Sequence, residues 1–216
     1  MWFEVASSKS SWTAAAKHLA RADPRLGKVI ARVGPCTLSP RRDYFVALCK
    51  AIYNQQISTK VATILFDRFR NPFPGRKPTP AAVLELLSGD AERIRGCGLS
   101  RQKALYLKDL SDHFLTNRIP TRKLGKMSDQ EVIDALVAVN GVGQWTAEMF
   151  LMFVLNRPDV LPVDDLGLRE GVREIYGLPA RPTAKQLTSI GEAWRPFRSI
   201  ATWYVWRRAH VPVEKS

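Results

Sequence analysis

Cysteine and histidine are scarce in this chain, and neither residue type is spaced like a set of metal ligands. The 216 residues include three cysteines, Cys36, Cys49 and Cys97, and three histidines that stand far apart. An odd number of unclustered cysteines disfavours a disulfide framework and a cysteine-rich zinc site. We therefore expect the protein to work in a reducing compartment, the cytoplasm.

Long apolar runs and alternating strand patterns are also missing. No apolar stretch reaches the roughly 20 residues that a membrane-spanning helix needs, and the opening Met1-Trp2-Phe3-Glu4 lacks the basic-then-apolar order of a signal peptide. We expect no membrane partner. Because apolar residues recur at helical spacing and never in a useful strand-like alternation, the sequence predicts an all-α fold.

Acidic residues are outnumbered by basic ones. Lys and Arg total 33 against 20 Asp and Glu, which gives a formal net charge of +13. This excess predicts a polyanionic partner, with nucleic acid first and an anionic membrane surface second, although a solubility effect is an alternative. The basic residues are spread along the chain, so a folded surface rather than a tail carries the potential.

The helical pattern suggests one domain over residues 1–216, made of two helical lobes. Hydrophobic residues make up 45% of the chain, enough for a sizeable core. The proline-rich stretch near 71–80 is the plausible hinge between the lobes. Asp43 and Ser128 are placed to cap helices, the latter in a capping box with Glu131. The segment 145–155 is apolar on almost all sides, which predicts a buried central helix.

A Gly-Val-Gly turn, Gly141 to Gly143, joins two predicted helices. Glycines at this turn tolerate a positive φ and keep side chains away from the backbone. Consecutive amides at the start of the helix that begins at Gln144 can then hold a phosphate. The alternative is a tight helix connection in which glycine serves geometry alone.

Two carboxylates, Asp164 and Asp165, follow a loop that contains Pro162 and precede an amphipathic helix. A lone acidic site after a phosphate-binding turn, in a basic chain, suggests work on DNA. The alternative for both residues is N-capping, because Asp is common immediately before a helix. Residue chemistry alone does not separate the two.

Several separated motifs resemble the helix-hairpin-helix/Gly-Pro-Asp superfamily of DNA glycosylases, and most closely the 3-methyladenine DNA glycosylase II family. They occur in the family's order over roughly residues 40–208. The motifs are Ala51-Ile52-Tyr53-Asn54-Gln55-Gln56-Ile57-Ser58, Gly98-Leu99-Ser100-Arg101-Gln102-Lys103-Ala104, Val139-Asn140-Gly141-Val142-Gly143-Gln144-Trp145-Thr146-Ala147, Leu161-Pro162-Val163-Asp164-Asp165-Leu166 and Arg195-Pro196-Phe197-Arg198-Ser199. The resemblance implies two helical lobes that flank a DNA-binding cleft, with a helix-hairpin-helix motif.

This resemblance implies that Asp165 is the catalytic carboxylate and that Asp164 supports it and caps the following helix. Family members that also act as lyases carry a lysine where this chain has Trp145, and tryptophan cannot form a Schiff base. We therefore expect a monofunctional glycosylase that leaves an abasic site. The four-cysteine iron–sulfur motif of some relatives is missing, and no cofactor is expected to be required.

Base removal from duplex DNA requires the base to be flipped out of the stack. The resemblance places the DNA wedge at Gln56, although the wedge loop residues could simply end a helix. It places Trp145 and Trp206, together with Tyr53, around the flipped base, where electron-rich rings attract a cationic purine. Aromatic residues at helical spacing are, alternatively, core residues.

The resemblance also implies which hairpin residues bind a phosphate and a cation. The phosphate-binding positions are Gly141, Gly143 and Thr146. The backbone carbonyls of Val137, Val139 and Val142 are expected to hold a structural Na⁺ or K⁺ without a catalytic role. The expected partner is damaged double-stranded DNA, bound by a monomer that associates with the nucleoid through that DNA.

The leading hypothesis is a glycosylase that hydrolyses the N-glycosidic bond of alkylated purines of the 3-methyladenine type in base excision repair. Three alternatives remain. The chain could act on another damaged or mismatched base, or it could be a non-catalytic helix-hairpin-helix DNA-binding protein. A basic helical scaffold for an anionic protein or membrane is the third, and it would lack salt-dependent binding to duplex DNA.

Overall fold

The computed structural model describes residues 12–208, and within that range the secondary structure consists of helices without strands. The all-α prediction is confirmed. Twelve α-helices and two short 3₁₀ turns lie in the described part of the chain. The α-helices are α1 (Thr13–Ala22), α2 (Pro24–Val33), α3 (Tyr44–Asn54), α4 (Thr59–Arg70), α5 (Pro80–Leu87), α6 (Ala91–Gly96), α7 (Arg101–Leu115), α8 (Asp129–Val137), α9 (Gln144–Phe153), α10 (Leu166–Tyr176), α11 (Ala184–Gly191) and α12 (Arg198–Arg207).

The chain divides into two compact helical units. The central unit comprises Arg41–Leu155, and the terminal unit comprises the segments on either side, up to Pro40 and from Asn156. The chain therefore passes between units at 40/41 and 155/156. The proline-rich stretch 71–80, expected as the hinge, lies inside the central unit, where Pro74–Arg76 form a 3₁₀ turn.

The central unit is organised around α3 and α9. Helix α3 packs against α4, α7 and α9, while α8 packs against α9 and α5 against α7. Seven of the ten residues of α9 are buried, which confirms the predicted central helix. The capping box of Ser128 and Glu131 starts α8 as expected, whereas the side chain of Asp43 makes no capping hydrogen bond to α3.

The terminal unit is organised around α12, which packs against α1, α2 and α10. Its buried residues include Trp203, Tyr204 and Val205. A buried carboxylate ties the unit together: Asp23 caps α2 with one oxygen, and its other oxygen accepts hydrogen bonds from Tyr176 Oη and Trp194 Nε1. No helix within residues 12–208 has both the length and the apolar character that crossing a membrane would require.

Candidate active site

The turn between α8 and α9 depends on one of its two glycines. Gly141 has a φ of +84°, and a Cβ added there would lie 2.3 Å from Cδ2 of Tyr106. Both the backbone conformation and the packing therefore require glycine at this position. The neighbouring Asn140 is fixed as well, because its backbone and side-chain nitrogens donate to Asp109 Oδ2 at 2.7 and 2.9 Å.

Gly143 differs from Gly141, although it lies only two residues further on. Its φ is −93°, and no atom lies within 4 Å of the position a Cβ would take. The fold therefore does not require a glycine here. Gly143 is the N-cap of α9 and provides no side chain to bond the amides of the first turn. Those amides lie at the positive end of the helix dipole, which suits an anionic ligand.

Thr146 and Trp145 follow on the first turn of α9, and the structure places their side chains differently. Thr146 is buried, so at this turn only its backbone amide remains as a contact for a phosphate. Trp145 is 42% exposed, the exception among the large hydrophobic residues of a helix that is otherwise mostly buried. Its indole is therefore exposed beside the predicted phosphate-binding turn.

The loop after α3 carries the predicted wedge. Gln56 is exposed and has a φ of +60°, an uncommon conformation for a residue with a side chain. Lys103 Nζ donates to the backbone oxygens of Tyr53 and Gln55 at 2.7 and 3.1 Å. Burial lowers the pKa of this lysine. Its ammonium group satisfies carbonyls at the negative end of α3 and so fixes the start of the loop.

A second tether joins the wedge loop to the hairpin. Gln55 Nε2 donates to the backbone oxygen of Gly141 at 2.7 Å, across 86 residues of sequence. The local sequence contains no signal for this contact, nor for those of Lys103 and Asp109. Gln55, Lys103 and Asp109 each hydrogen-bond to backbone atoms of a distant segment, and the sequence analysis did not predict these contacts.

Tyr53 does not fit the expected base pocket. Its side chain is fully buried inside the central unit, where its ring packs against Phe66 and Phe69. Its hydroxyl donates to the backbone oxygen of Cys97 at 3.2 Å, and burial raises its pKa. The alternative interpretation, a core aromatic residue, is therefore correct for Tyr53.

The two candidate carboxylates have different environments. Asp165 is half-buried and is the N-cap of α10, where its Oδ1 accepts from Leu168 N at 2.5 Å. The same oxygen accepts from Trp206 Nε1 at 2.9 Å. Asp164 is exposed, so the expectation that it caps α10 is wrong. The capping oxygen comes from Asp165, which stands directly before the first helical residue.

The contact between Asp165 and Trp206 needs a small neighbour. A Cβ on Gly167 would lie 3.2 Å from Asp165 Oδ1 and 3.4 Å from Trp206 Nε1. These distances are at the tight end of normal packing. A larger residue at 167 would press against both groups at once, so glycine leaves room for the carboxylate and the indole to meet.

The loop that leads to Asp165 is fixed to the start of α12, the helix that carries Trp206. Arg198 binds both carboxylate oxygens of Asp159 at 2.7 and 2.9 Å and also donates to its backbone oxygen. Ser199 Oγ accepts from Val160 N at 2.9 Å in a buried position. Bidentate arginine–carboxylate pairs are directional. This anchoring therefore fixes the loop before Asp165 relative to α12, the helix that carries Trp206.

The predicted cation ligands lie where α8 ends. Val137 is the last residue of α8, and Val139 and Val142 follow in the turn, where Val139 O accepts from Val142 N at 3.0 Å. Carbonyls at a helix C-terminus lack helical partners. In the part of the chain that the structure describes, no group of three or more His, Cys, Asp or Glu residues is arranged to hold a metal ion.

The chain is similar to known proteins along most of its length. The model of the HhH-GPD superfamily base excision DNA repair protein matches residues 49–196. DNA-3-methyladenine glycosylase 1 of Schizosaccharomyces pombe is 35% identical over 207 residues, which cover 94% of this chain and 90% of that protein.

Two solved structures of DNA glycosylases are also similar to this chain. One is the 3-methyladenine DNA glycosylase Mag1 of S. pombe in complex with abasic DNA, with a TM-score of 0.83, 32% identity and coverage of 94% of this chain and 100% of that one. Another is a DNA-3-methyladenine glycosidase of Bacillus halodurans, with a TM-score of 0.80, 32% identity and coverage of 94% and 91%. The resemblance inferred from the sequence motifs is thereby confirmed.

Proposed function

Because this chain belongs to the HhH-GPD superfamily of base excision DNA repair proteins, we propose that it is a monofunctional DNA glycosylase. It hydrolyses the N-glycosidic bond of alkylated purines of the 3-methyladenine type in damaged double-stranded DNA. The observation that carries this proposal is the Asp165 carboxylate, held by the Trp206 indole and the Leu168 amide at the start of α10. The relatives named as 3-methyladenine glycosylases support the substrate class.

Recognition in this proposal begins with the DNA backbone. The amides of the first turn of α9, beside Gly143, bind one phosphate without reading sequence. Gln56 enters the base stack in place of the flipped base and can hydrogen-bond the unpaired base on the opposite strand. Trp145 and Trp206 provide the aromatic faces on which a cationic purine stacks, whereas the buried Tyr53 has no part in the pocket.

The chemistry requires one fixed anion. Cleavage of the N-glycosidic bond develops positive charge on the sugar, as in glycoside hydrolysis. The carboxylate of Asp165 stabilises that charge and orients the attacking water, whose oxygen forms the new bond to C1′ and whose proton passes to the carboxylate, while the base leaves with the electrons of the broken bond. An alkylated purine is already cationic, so it departs as a neutral base without a strong general acid.

The identity of residue 145 supports hydrolysis without strand cleavage. A lyase step needs an amine that attacks C1′ and forms a Schiff base. The side chain at this position is an indole, which cannot do so. The product is then an abasic site, which another enzyme of repair must cleave.

This reaction requires no cofactor in the proposal, and a structural ion supports binding only. The carbonyls of Val137, Val139 and Val142 are hard oxygen donors suited to Na⁺ or K⁺, and they lie beside the phosphate-binding turn. When bound, such an ion adds positive charge next to the phosphate. We further propose that the protein acts as a monomer in the cytoplasm, on nucleoid DNA.

The test is release of free base from N-methylated duplex DNA, measured by chromatography, with Asp165→Asn and Asp164→Asn as a matched pair. We expect the wild type and Asp164→Asn to release 3-methyladenine, and Asp165→Asn to release almost none while it still binds DNA. Equal activity in both variants would contradict the catalytic role of Asp165. Salt-dependent DNA binding without release from any methylated base would instead favour another lesion or a non-catalytic binding protein.

A further inference from the structure

A cavity lies in the central unit, and the proposed reaction uses none of the residues that line it. Its volume is about 570 Å³. Three separate parts of the chain line it: the start of α3, the segment just before α5, and the end of α7 with the loop after it. Small-molecule sites commonly have volumes of about 300–1,000 Å³.

The rim of this cavity is cationic. Arg42, Lys77 and Arg122 come from the three different segments, and all three are exposed. Among residues 12–208, their side chains enter none of the observed ion pairs. One carboxylate, Asp43, also lines the cavity, but it does not cap α3. The Tyr44 amide donates instead to the Arg42 carbonyl at 3.0 Å, and the N-terminal end of the α3 dipole adds to the positive field at the opening.

Part of the lining of the cavity is apolar and includes aromatic and proline residues. Phe45 and Phe114 form an edge-to-face pair with ring centroids 5.1 Å apart, and Pro78 and Pro80 belong to the same lining. Tyr44 is half-buried beside them. Aromatic and proline faces under a cationic rim suit a ligand that has a phosphate at one end and a planar ring at the other.

The cavity is separated from the wedge loop by the length of a helix. It lies at the N-terminus of α3, whereas Gln55 and Gln56 follow the C-terminus. Eleven helical residues span about 16 Å. The same holds for α7, since Phe114 is near its end and Lys103, which tethers the wedge loop, is near its start.

We propose that this cavity binds a nucleotide, with its phosphate at Arg42, Lys77 and Arg122 and its base against the aromatic and proline faces. The nucleotide is either free in solution or an unpaired nucleotide of a DNA strand. The proposal does not rest on glycosylase activity, because none of these residues takes part in that reaction. An acidic peptide would match the rim charge but would leave the planar lining without a specific role.

The test titrates ADP, and separately inorganic phosphate, into the full-length protein by calorimetry. We expect ADP to bind about tenfold or more tightly than phosphate. The double variant Lys77→Glu/Arg122→Glu should weaken ADP binding by about tenfold or more. The control Arg95→Glu reverses an exposed charge on α6 of the same unit and should change ADP affinity by less than about twofold.

Further measurements distinguish a free nucleotide from a nucleotide of DNA and identify the outcomes that contradict the proposal. A short single-stranded oligonucleotide that binds more tightly than ADP, and loses affinity in the same double variant, identifies DNA as the source; tighter ADP binding identifies a free nucleotide. With enzyme in saturating excess, single-turnover base release by the folded double variant should equal that of the wild type, because Lys77 and Arg122 take no part in the chemical step; this separates the proposal from the glycosylase. Equal affinity for phosphate and ADP, equal loss in Arg95→Glu, binding of neither ADP nor the oligonucleotide at this cavity, or binding of an acidic peptide alone would each overturn it.

Discussion

Gln55 and Gly141 join the two elements that are expected to contact DNA in the central unit. The Gln55 side chain donates to the Gly141 carbonyl at 2.7 Å, so the predicted wedge loop and the predicted phosphate-binding turn are held at a fixed spacing. A flipped base requires both elements to act on one duplex, the turn on a phosphate and the wedge on the neighbouring stack. In the proposed function, the hydrogen bond aligns two DNA contacts that are far apart in the sequence.

Replacement of Gln55 by Leu should weaken both stability and base release. The variant keeps the size of the side chain but leaves the Gly141 carbonyl without its donor, a loss of about 1–3 kcal/mol. We expect a lower midpoint in urea unfolding and a fall of roughly fivefold or more in single-turnover base release. Gln130→Leu removes an exposed glutamine bond to Asp134 on α8 and should change neither. Wild-type behaviour of Gln55→Leu would contradict the alignment role.

Alanine at Gly141 should lower the stability of the fold, whereas alanine at Gly143 should lower the affinity for DNA. Gly141→Ala should destabilise the fold by about 2–4 kcal/mol, because it combines a positive φ with a methyl group 2.3 Å from the Tyr106 ring. Gly143→Ala should leave the unfolding free energy within about 1 kcal/mol of the wild type. It should weaken duplex binding, because the methyl group lies where a phosphate approaches. Unchanged DNA affinity in Gly143→Ala would mean that the phosphate binds elsewhere.

Local signals in the sequence were sufficient for the helices and for much of the turn. The capping box of Ser128 and Glu131 forms as the spacing predicts, since both partners lie within one helical turn. The apolar character of α9 likewise predicts its burial. Such features depend on residues a few positions apart, so the sequence determines them directly.

Contacts between distant segments were not predictable in this way. The Gln55 side chain donates to a carbonyl 86 residues away, and the Asp109 carboxylate accepts from Asn140, 31 residues away. Which backbone a polar side chain reaches depends on how the helices pack. Tyr53 shows the same limit, because its residue type fits a base pocket as well as a core. The sequence pattern does not distinguish Asp164 from Asp165 as the cap of α10, since either residue can precede a helix, and the structure shows that Asp165 is the cap.

The three cysteines should be inert in the native protein. All three are buried, and burial raises the pKa of each thiol, that of Cys36 to about 12. Because the thiolate is the reactive form, Ellman's reagent at pH 8 should label none of them rapidly, and all three should react once the chain is unfolded in guanidinium. A thiol that reacts in the folded protein with an apparent pKa near 8.5 would contradict the burial of that residue.

Trp206→Phe should separate the hydrogen bond to Asp165 from the aromatic face of the pocket. Phenylalanine keeps a ring but removes the N–H that donates to Asp165 Oδ1 at 2.9 Å. Hydrogen bonds to charged groups contribute about 1.5–3 kcal/mol, so single-turnover base release should fall by roughly 10- to 100-fold while duplex affinity changes little. The control Trp203→Phe alters a buried tryptophan on the same helix and should lower stability without this loss of rate. Equal rates for Trp206→Phe and the wild type would contradict a role for the indole N–H in holding the carboxylate.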